Sequence, residues 1–589
     1  MLAPTSASMP VAHGQARVLV LALAALSVVT ADAAQAPRGS APAPVDADAG
    51  AVPVGGPGSL VVQDDTDSPL ALLKHPYVQH VAAETPAGAT RSAKQPAPAA
   101  GTAAVPRIAV IGAGAAGASF TYFLKRFSAE GRFGADVTVF DRESRIGGRA
   151  HVLPLTVDVC DPQPAGKSEC RKEDMIIELG ASIFAKANAH MVNASREFGL
   201  EFVDRSSSTL AKERYASFGV WDGAEWHYLE TPPSGSSSPG WGWFGSWVSS
   251  FKMLYKYGFF NGPIQASSIA RGVARDFIKV YGKLERNERF EDVVDLVNEL
   301  GVRESVETRA DQYMADRKIS SAFIQDIFGG ITRNTYLQDT DSIRAFGGLI
   351  ALFSGVDEMY TVKGGNYKVF EGMLAGSDVR LASRVDVVAK TKTPEGKPEF
   401  HIELSNGEKH TFDMVVLAAP LPASSIDFRG INLQNFPIFK YVRLYVTVVV
   451  GELNPAFFGL QRREEIPITL LTSSPSHESV PFNCMSILRA IDETRVVTKM
   501  FSRLPLSEKQ LDAMFVSRSQ TARHAWERPG SYPLLPPVDD QSWSLKVVVD
   551  TDGLYYANSF EGFISTMETE TIAGRNVAGL VADRISKRK

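Results

Sequence analysis

The chain has 589 residues, of which 44% are hydrophobic and 22% charged, and its net charge is −5. That is globular composition, so a wholly disordered or coiled-coil chain is excluded, and the slight acidity argues against a general nucleic-acid binder. Three cysteines exclude a disulfide-dense scaffold or a zinc-finger array, and ten scattered histidines without an HExxH pattern point to no metal site.

Arg17 precedes an apolar run, Val18 to Val29, and Ala31-Asp-Ala33 follows it. A basic edge, a short apolar core and small residues at a cleavage position predict a secretory signal over 1–33. At about 12 residues the core is too short for a membrane span, which needs about 20. Residues 34–106 are rich in Ala, Pro, Gly, Ser and Thr, and are predicted to be a disordered or removable segment because they bury too little apolar surface. Leu70 to Val81 is its one partly apolar patch. The folded body is then 107–589.

Arg107 to Ile111 reads as a buried parallel strand, followed by Gly112-Ala-Gly114-Ala-Ala-Gly117 and a helical pattern to Phe127. Each glycine has its own task. Gly112 permits the tight turn, Gly114 lets a pyrophosphate approach the backbone, and Gly117 lets the helix pack on the strand. The helix N-terminus presents free N–H groups and the positive end of its dipole to the phosphates. A second strand, Asp136 to Phe140, ends in Asp141, 29 residues after Gly112 and placed to accept from ribose hydroxyls. These residues predict a dinucleotide site. The next segment carries a second glycine pair and an arginine, Gly147-Gly148-Arg149. It resembles the large family of FAD-dependent oxidases that includes amine oxidases. That resemblance implies FAD, with the glycine pair close to the cofactor and Arg149 supporting its phosphates or a neighbouring carboxylate.

Val379 to Val388 reads as a strand pair, Asp413 to Pro420 as a buried strand, and Leu554 to Asn558 as a strand leading through Glu561-Gly562 to a helix over Ser565 to Ile585. The helix N-terminus would face the flavin. The expected fold is α/β: a Rossmann-like FAD-binding domain of the amine-oxidase/glutathione-reductase type, assembled from discontinuous segments, with a mixed α+β substrate domain. The cofactor domain is expected at 107–204, 351–430 and 546–589, and the substrate domain at 205–350 and 431–545.

The chain resembles the prenylcysteine oxidase family, also called prenylcysteine lyases. The resemblance rests on Glu178-Leu-Gly180-Ala-Ser182-Ile183 with Asn188-Ala-His190-Met191, on Val362-Lys-Gly364-Gly365-Asn366, and on Tyr441 to Val450 leading to Leu453-Asn454. It rests also on Tyr555-Tyr556, Glu561, Ser565-Thr-Met567-Glu568 and Asn576. The region Lys167 to Lys172 departs from the pattern and reads as an inserted loop. Carried onto matching positions, the resemblance places Val385 against adenine and adds Glu561 and Met567 to the cofactor set. It implies oxidation of the thioether of free farnesyl- or geranylgeranylcysteine to a prenyl aldehyde, cysteine and hydrogen peroxide. Molecular oxygen is then the co-substrate, nucleic acid is no partner, and no catalytic side chain is assigned.

A prenyl tail needs a long apolar slot. Trp241, Trp243, Trp247, Phe251, Leu254, Tyr255, Phe259 and Phe260 form an aromatic stretch with three readings: helix core, prenyl slot or lid, and membrane contact. Arg333, Arg344 and Lys363 are available for the amino-acid end of the substrate, although such residues are more often solvated surface charges. Cys160 and Cys170 can pair in an oxidising compartment, Cys484 reads as a buried free thiol, and Asn193-Ala-Ser195 is a glycosylation sequon. The expected location is the secretory pathway, ending in a vacuole, a lysosome or the exterior. Two other functions stay open: another FAD oxidase acting on an amine or lipid, and a secreted lipid-binding flavoprotein.

Overall fold

The computed structural model describes residues 105–587, except 132, 163–167, 205–214, 231–252, 259–260, 356, 433–435, 437–438, 474–479 and 539–544. The predicted signal, the Ala/Pro-rich segment up to residue 104 and the aromatic positions Trp241, Trp243, Trp247, Phe251, Phe259 and Phe260 lie outside the described residues. The described residues belong to one of the chain's two compact units.

The elements that build the site follow in chain order. They begin with strand β1 (Arg107–Ile111), helix α1 (Ala115–Gly131), β2 (Asp136–Phe140) and the hairpin β3 (Val152–Pro162) and β4 (Ser168–Glu178). Helix α2 (Ala189–Glu197), strands β5 (Phe218–Trp221) and β6 (Trp226–Leu229), and helix α3 (Pro263–Glu285) come next. Helix α4 (Ala345–Ser354) precedes β7 (Asp378–Arg380), β8 (Val385–Lys392) and β9 (Met414–Leu417). Strands β10 (Leu444–Leu453), β11 (Thr469–Thr472), β12 (Cys484–Ala490), β13 (Val496–Ser502) and β14 (Phe515–Trp526) build a second sheet. The chain ends on β15 (Val548–Asp550), β16 (Leu554–Tyr556) and helix α5 (Met567–Lys587).

The first sheet has six strands in the order β7-β2-β1-β9-β16-β15. All its pairings are parallel except β15 with β16. Ile108, Ala109 and Val110 are fully buried, as a strand covered on both faces requires. Consecutive β1 and β2 lie side by side, whereas the chain returns to the other edge of β1 only at residue 414, so the strand order reverses at β1. A ligand site is expected beyond the carboxyl ends of the strands at such a reversal.

The second sheet has seven strands in the order β14-β10-β13-β12-β11-β5-β6 and draws on both expected substrate segments. Helix α5 packs on α1: the Ser119 hydroxyl donates to the Thr571 carbonyl at 2.7 Å. Gly574 lies so close to Ala116 that a Cβ there would collide with the Ala116 carbonyl oxygen.

Two expectations need correction. Val379–Val388 is no strand pair: β7 joins β2 in the first sheet, and β8 belongs to a separate four-stranded sheet. The region expected as an inserted loop from Lys167 is mostly strand, because Ser168–Glu178 pairs antiparallel with Val152–Pro162. In that register Cys160 faces Cys170, and the two form a disulfide. Cys484 is buried in β12 as a free thiol.

Candidate functional site

A cavity opens at the carboxyl ends of β1, β2 and β9. Its wall at the first turn comprises Gly112, Gly114, Ala115 and Asp141. Gly112 needs its lack of a side chain: its φ is +119°, and a Cβ would collide with the Ala418 carbonyl oxygen. Gly117 does not line the cavity. A Cβ there would meet the carbonyl oxygen of Gly112, so its work is the close packing of α1 on the turn.

Asp141 holds the turn it was expected to serve. One carboxylate oxygen accepts from Ala113 N at 2.7 Å and the other from Glu143 N at 2.8 Å. Burial raises its pKa, against the lowering effect of these two bonds. Each oxygen keeps a lone pair, so acceptance from a ribose hydroxyl is compatible with this role.

Gly147 and Gly148 also line the cavity, with φ values of +110° and +57°. Arg149 lines it too, at 25% side-chain exposure. Its guanidinium donates to the Ser531 carbonyl at 3.1 Å and is ion-paired with Glu561. Glu561, fully buried in the 3-10 turn Ala557–Gly562, also accepts from the Tyr441 hydroxyl. Glu561 does not itself line the cavity; it anchors Arg149, which does.

Val385 and Met567 line the cavity from β8 and from the start of α5. Thr566 caps that helix: its hydroxyl accepts from Thr569 N at 3.1 Å, while the Thr569 hydroxyl accepts from Thr566 N at 2.8 Å. Trp526 and Tyr532, with Phe370 and Ala181, give the cavity apolar lining. Ala181 is a non-glycine residue at φ 53°, a conformation kept by its surroundings.

The residues present fit a dinucleotide cofactor. The glycine turn leaves space that a side chain would fill. In addition, Glu570 and Asn558 line the cavity with buried oxygens that have no hydrogen-bond partner among the described residues: both carboxylate oxygens of Glu570 and Oδ1 of Asn558. Sequence reasoning missed both. Glu570 reads as one more helix acid, and only the packing of α5 turns it inward.

The arginines offered for the substrate's amino-acid end are not surface charges. Arg333 is 1% exposed and paired with Asp339 at 3.0 Å. Arg344 is 2% exposed, donates to the carbonyls of Pro536 at 2.9 Å and Gly562 at 2.6 Å, and is pulled down to about 9 by burial. Neither lines the cavity, and Lys363, 44% exposed, pairs with Glu201. Of the aromatic stretch, the described Tyr255 is 78% exposed.

Several family-like motif residues hold the fold. Glu178 accepts from Asn366 N at 2.7 Å, and Asn366 Nδ2 donates to the Ala181 carbonyl at 2.8 Å. Asn576 exchanges bonds with the backbone of Phe290. Glu568 caps α2 by accepting from His190 N and Met191 N at 2.8 and 2.9 Å, and from the Tyr281 hydroxyl at 2.6 Å. Among the described residues there is no metal-binding cluster and no helix long and apolar enough to cross a membrane.

Comparison with known proteins identifies relatives of the chain. The family described as prenylcysteine lyase matches residues 243–589, and the NAD(P)-binding Rossmann-like domain matches residues 110–195. Farnesylcysteine lyase of Arabidopsis thaliana is 26% identical over 484 residues, 81% of this chain and 88% of that protein. Prenylcysteine oxidase 1 of Homo sapiens is 26% identical over 510 residues, 81% of this chain and 89% of that protein. Among solved structures, cyclohexylamine oxidase from Brevibacterium oxydans IH-35A aligns with a TM-score of 0.49 at 14% identity, over 82% of this chain and 100% of that one.

Proposed function

The chain belongs to the prenylcysteine lyase family, and on that premise we propose that it is an FAD-dependent oxidase of free prenylcysteine. The observation that carries this reading is the cavity itself. The glycine turn, Arg149 and the orphaned oxygens of Glu570 and Asn558 line one space together with Trp526, Tyr532 and Phe370. A polar cradle for a dinucleotide thus continues into apolar lining that suits a prenyl thioether.

The overall reaction is that of a thioether with oxygen and water to give aldehyde, thiol and hydrogen peroxide. The prenyl carbon bonded to sulfur is oxidised by two electrons, its C–S bond breaks, and oxygen is reduced. When bound, FAD supplies the two-electron acceptor for that carbon and passes the electrons to oxygen. The protein orients and encloses. Glu561 locks Arg149 in place, the Gly112–Gly114 turn admits the phosphates, and the aromatic lining limits water at the reacting carbon. That carbon is allylic as well as next to sulfur, so electron deficiency there is shared by sulfur and alkene. No side chain is required as a base for its oxidation.

The secretory pathway, with a vacuolar, lysosomal or extracellular destination, is the matching location. Two features support it: the Cys160–Cys170 disulfide, and the exposure of Asn193 on α2. The sequon's Ser195 is buried, so glycosylation there would precede folding.

The test is anaerobic titration with farnesylcysteine followed by product identification. Bleaching of flavin absorbance, with farnesal and cysteine as products, is expected. Ammonia as product would assign an amine oxidase, and an unbleached flavin would leave a lipid-binding flavoprotein.

A further inference from the structure

Glu570 stands on α5, 5% exposed, with its side chain at the cavity wall and neither oxygen partnered among the described residues. Burying a carboxyl group without a donor or acceptor is costly, and the protein's own groups do not relieve it here. The charged and titratable groups around it come from several elements. Arg149 approaches from the loop after β2, Tyr441 from the strand Tyr441–Val442, and Tyr556 from β16. Arg149 is already engaged by Glu561 and by the Ser531 carbonyl, and the Tyr441 hydroxyl donates to Glu561. The acid neighbour on its own helix, Glu568, is held by His190, Met191 and Tyr281.

We propose that Glu570 enters the holoenzyme as a neutral carboxylic acid that donates a hydrogen bond to an acceptor oxygen of bound FAD, so that wherever the free site is ionised, cofactor binding takes up one proton. The inference rests on the reading of this cavity as an FAD site. The acceptor is a phosphate oxygen or a carbonyl of the isoalloxazine, and both ask the same of Glu570. Burial pushes the carboxyl up to about 8, and the charge of Arg149 opposes that rise. That rise favours the neutral acid, the form that can donate to an acceptor oxygen. Above pH 8 binding must first return a proton to the carboxylate, or else set a negative charge against an electron-rich ligand without a donor between them.

The experiment uses the full-length chain, freed of flavin and retitrated with FAD by flavin fluorescence between pH 6.5 and 9.5. In the wild type the dissociation constant should stay level up to about pH 8 and then rise about tenfold per pH unit. Proton uptake on binding, followed with a pH indicator in weak buffer, should approach one proton per FAD above pH 8.5. Glu570→Gln keeps a neutral donor and should lose both effects. A wild type that binds FAD with a flat profile and no proton uptake overturns the proposal, whether or not the variant folds. So does a variant with the wild-type profile. Measuring ADP binding by its competition with FAD separates the two acceptors: the same pH dependence assigns the phosphates, and its absence assigns the isoalloxazine. A chain that binds no FAD at any pH overturns the flavoenzyme reading itself, whereas FAD binding without proton linkage overturns only the role of Glu570.

Discussion

Gly148 faces Gly114 across the cavity wall so closely that a Cβ on Gly148 would stand 3.2 Å from the Gly114 Cα. The second glycine pair therefore closes over the first turn, and two motifs separated in sequence form one backbone cradle. A Cβ on Gly114 would meet Gly148 Cα at 3.8 Å, an ordinary contact. Gly114→Ala should thus fold normally, while the γ-methyls of Gly114→Val should crowd the cradle. The valine variant is expected to purify colourless with its fold intact by circular dichroism. Full flavin absorbance in that variant would place the cofactor elsewhere.

Arg149 and Glu561 make the second test. Glu561 is fully buried, so removing its cation leaves an uncompensated charge, a loss of about 3–5 kcal/mol. Tyr441→Phe removes one donor from the same carboxylate and should cost about 1–3 kcal/mol. Denaturant unfolding should rank Arg149→Met well below Tyr441→Phe. Equal losses would mean that the pair does not anchor this turn.

Glu568 should leave a signature in the pH dependence of stability. Burial pushes its carboxyl up to about 7 from an ordinary 4.5. An acid with a raised folded-state pKa binds its proton more tightly when folded. Its contribution is therefore full below about pH 4.5 and is lost as pH rises through about 7. Glu568→Gln should have a lower thermal midpoint but a flatter profile between pH 5 and 7. His190, held neutral by burial, acts in the opposite sense below its ordinary 6.5, so the quantity to compare is the difference between variant and wild type.

Thiol counting checks the cysteine assignment. Cys484 is buried and its thiol is pushed up to about 12, while Cys160 and Cys170 are bonded to each other. The native protein should release no colour from an aromatic disulfide reagent. Denatured protein should show one thiol, and denatured, reduced protein all three cysteines of the chain. Two or three thiols in denatured, unreduced protein would contradict the bridge.

Substrate analogues test the enclosure. A saturated alkyl thioether of the same length should bind but reduce the flavin much more slowly than farnesylcysteine, since it lacks allylic stabilisation. Tail shortening should weaken binding by roughly 0.8 kcal/mol per methylene lost from apolar contact. Stopped-flow reduction rates that do not distinguish the two thioethers would refute the electron-deficient carbon.

Local signals determined the cofactor half of this protein from sequence alone. A buried strand, a turn that only glycine can make, and an acid at the next strand end are short-range requirements, and Gly112, Gly114 and Asp141 are found together on one cavity wall. Long-range packing decided the rest. Glu561 carries no local mark of an anchoring role, and only the approach of Arg149 and Tyr441 from 412 and 120 residues away shows it. Arg333 and Arg344 read as surface charges because burying a guanidinium is unfavourable in isolation; carbonyls and Asp339 brought in by other segments reverse that. Glu570 is legible only once α5 lies against α1, because helical spacing says which residues share a face but not which face meets a cavity.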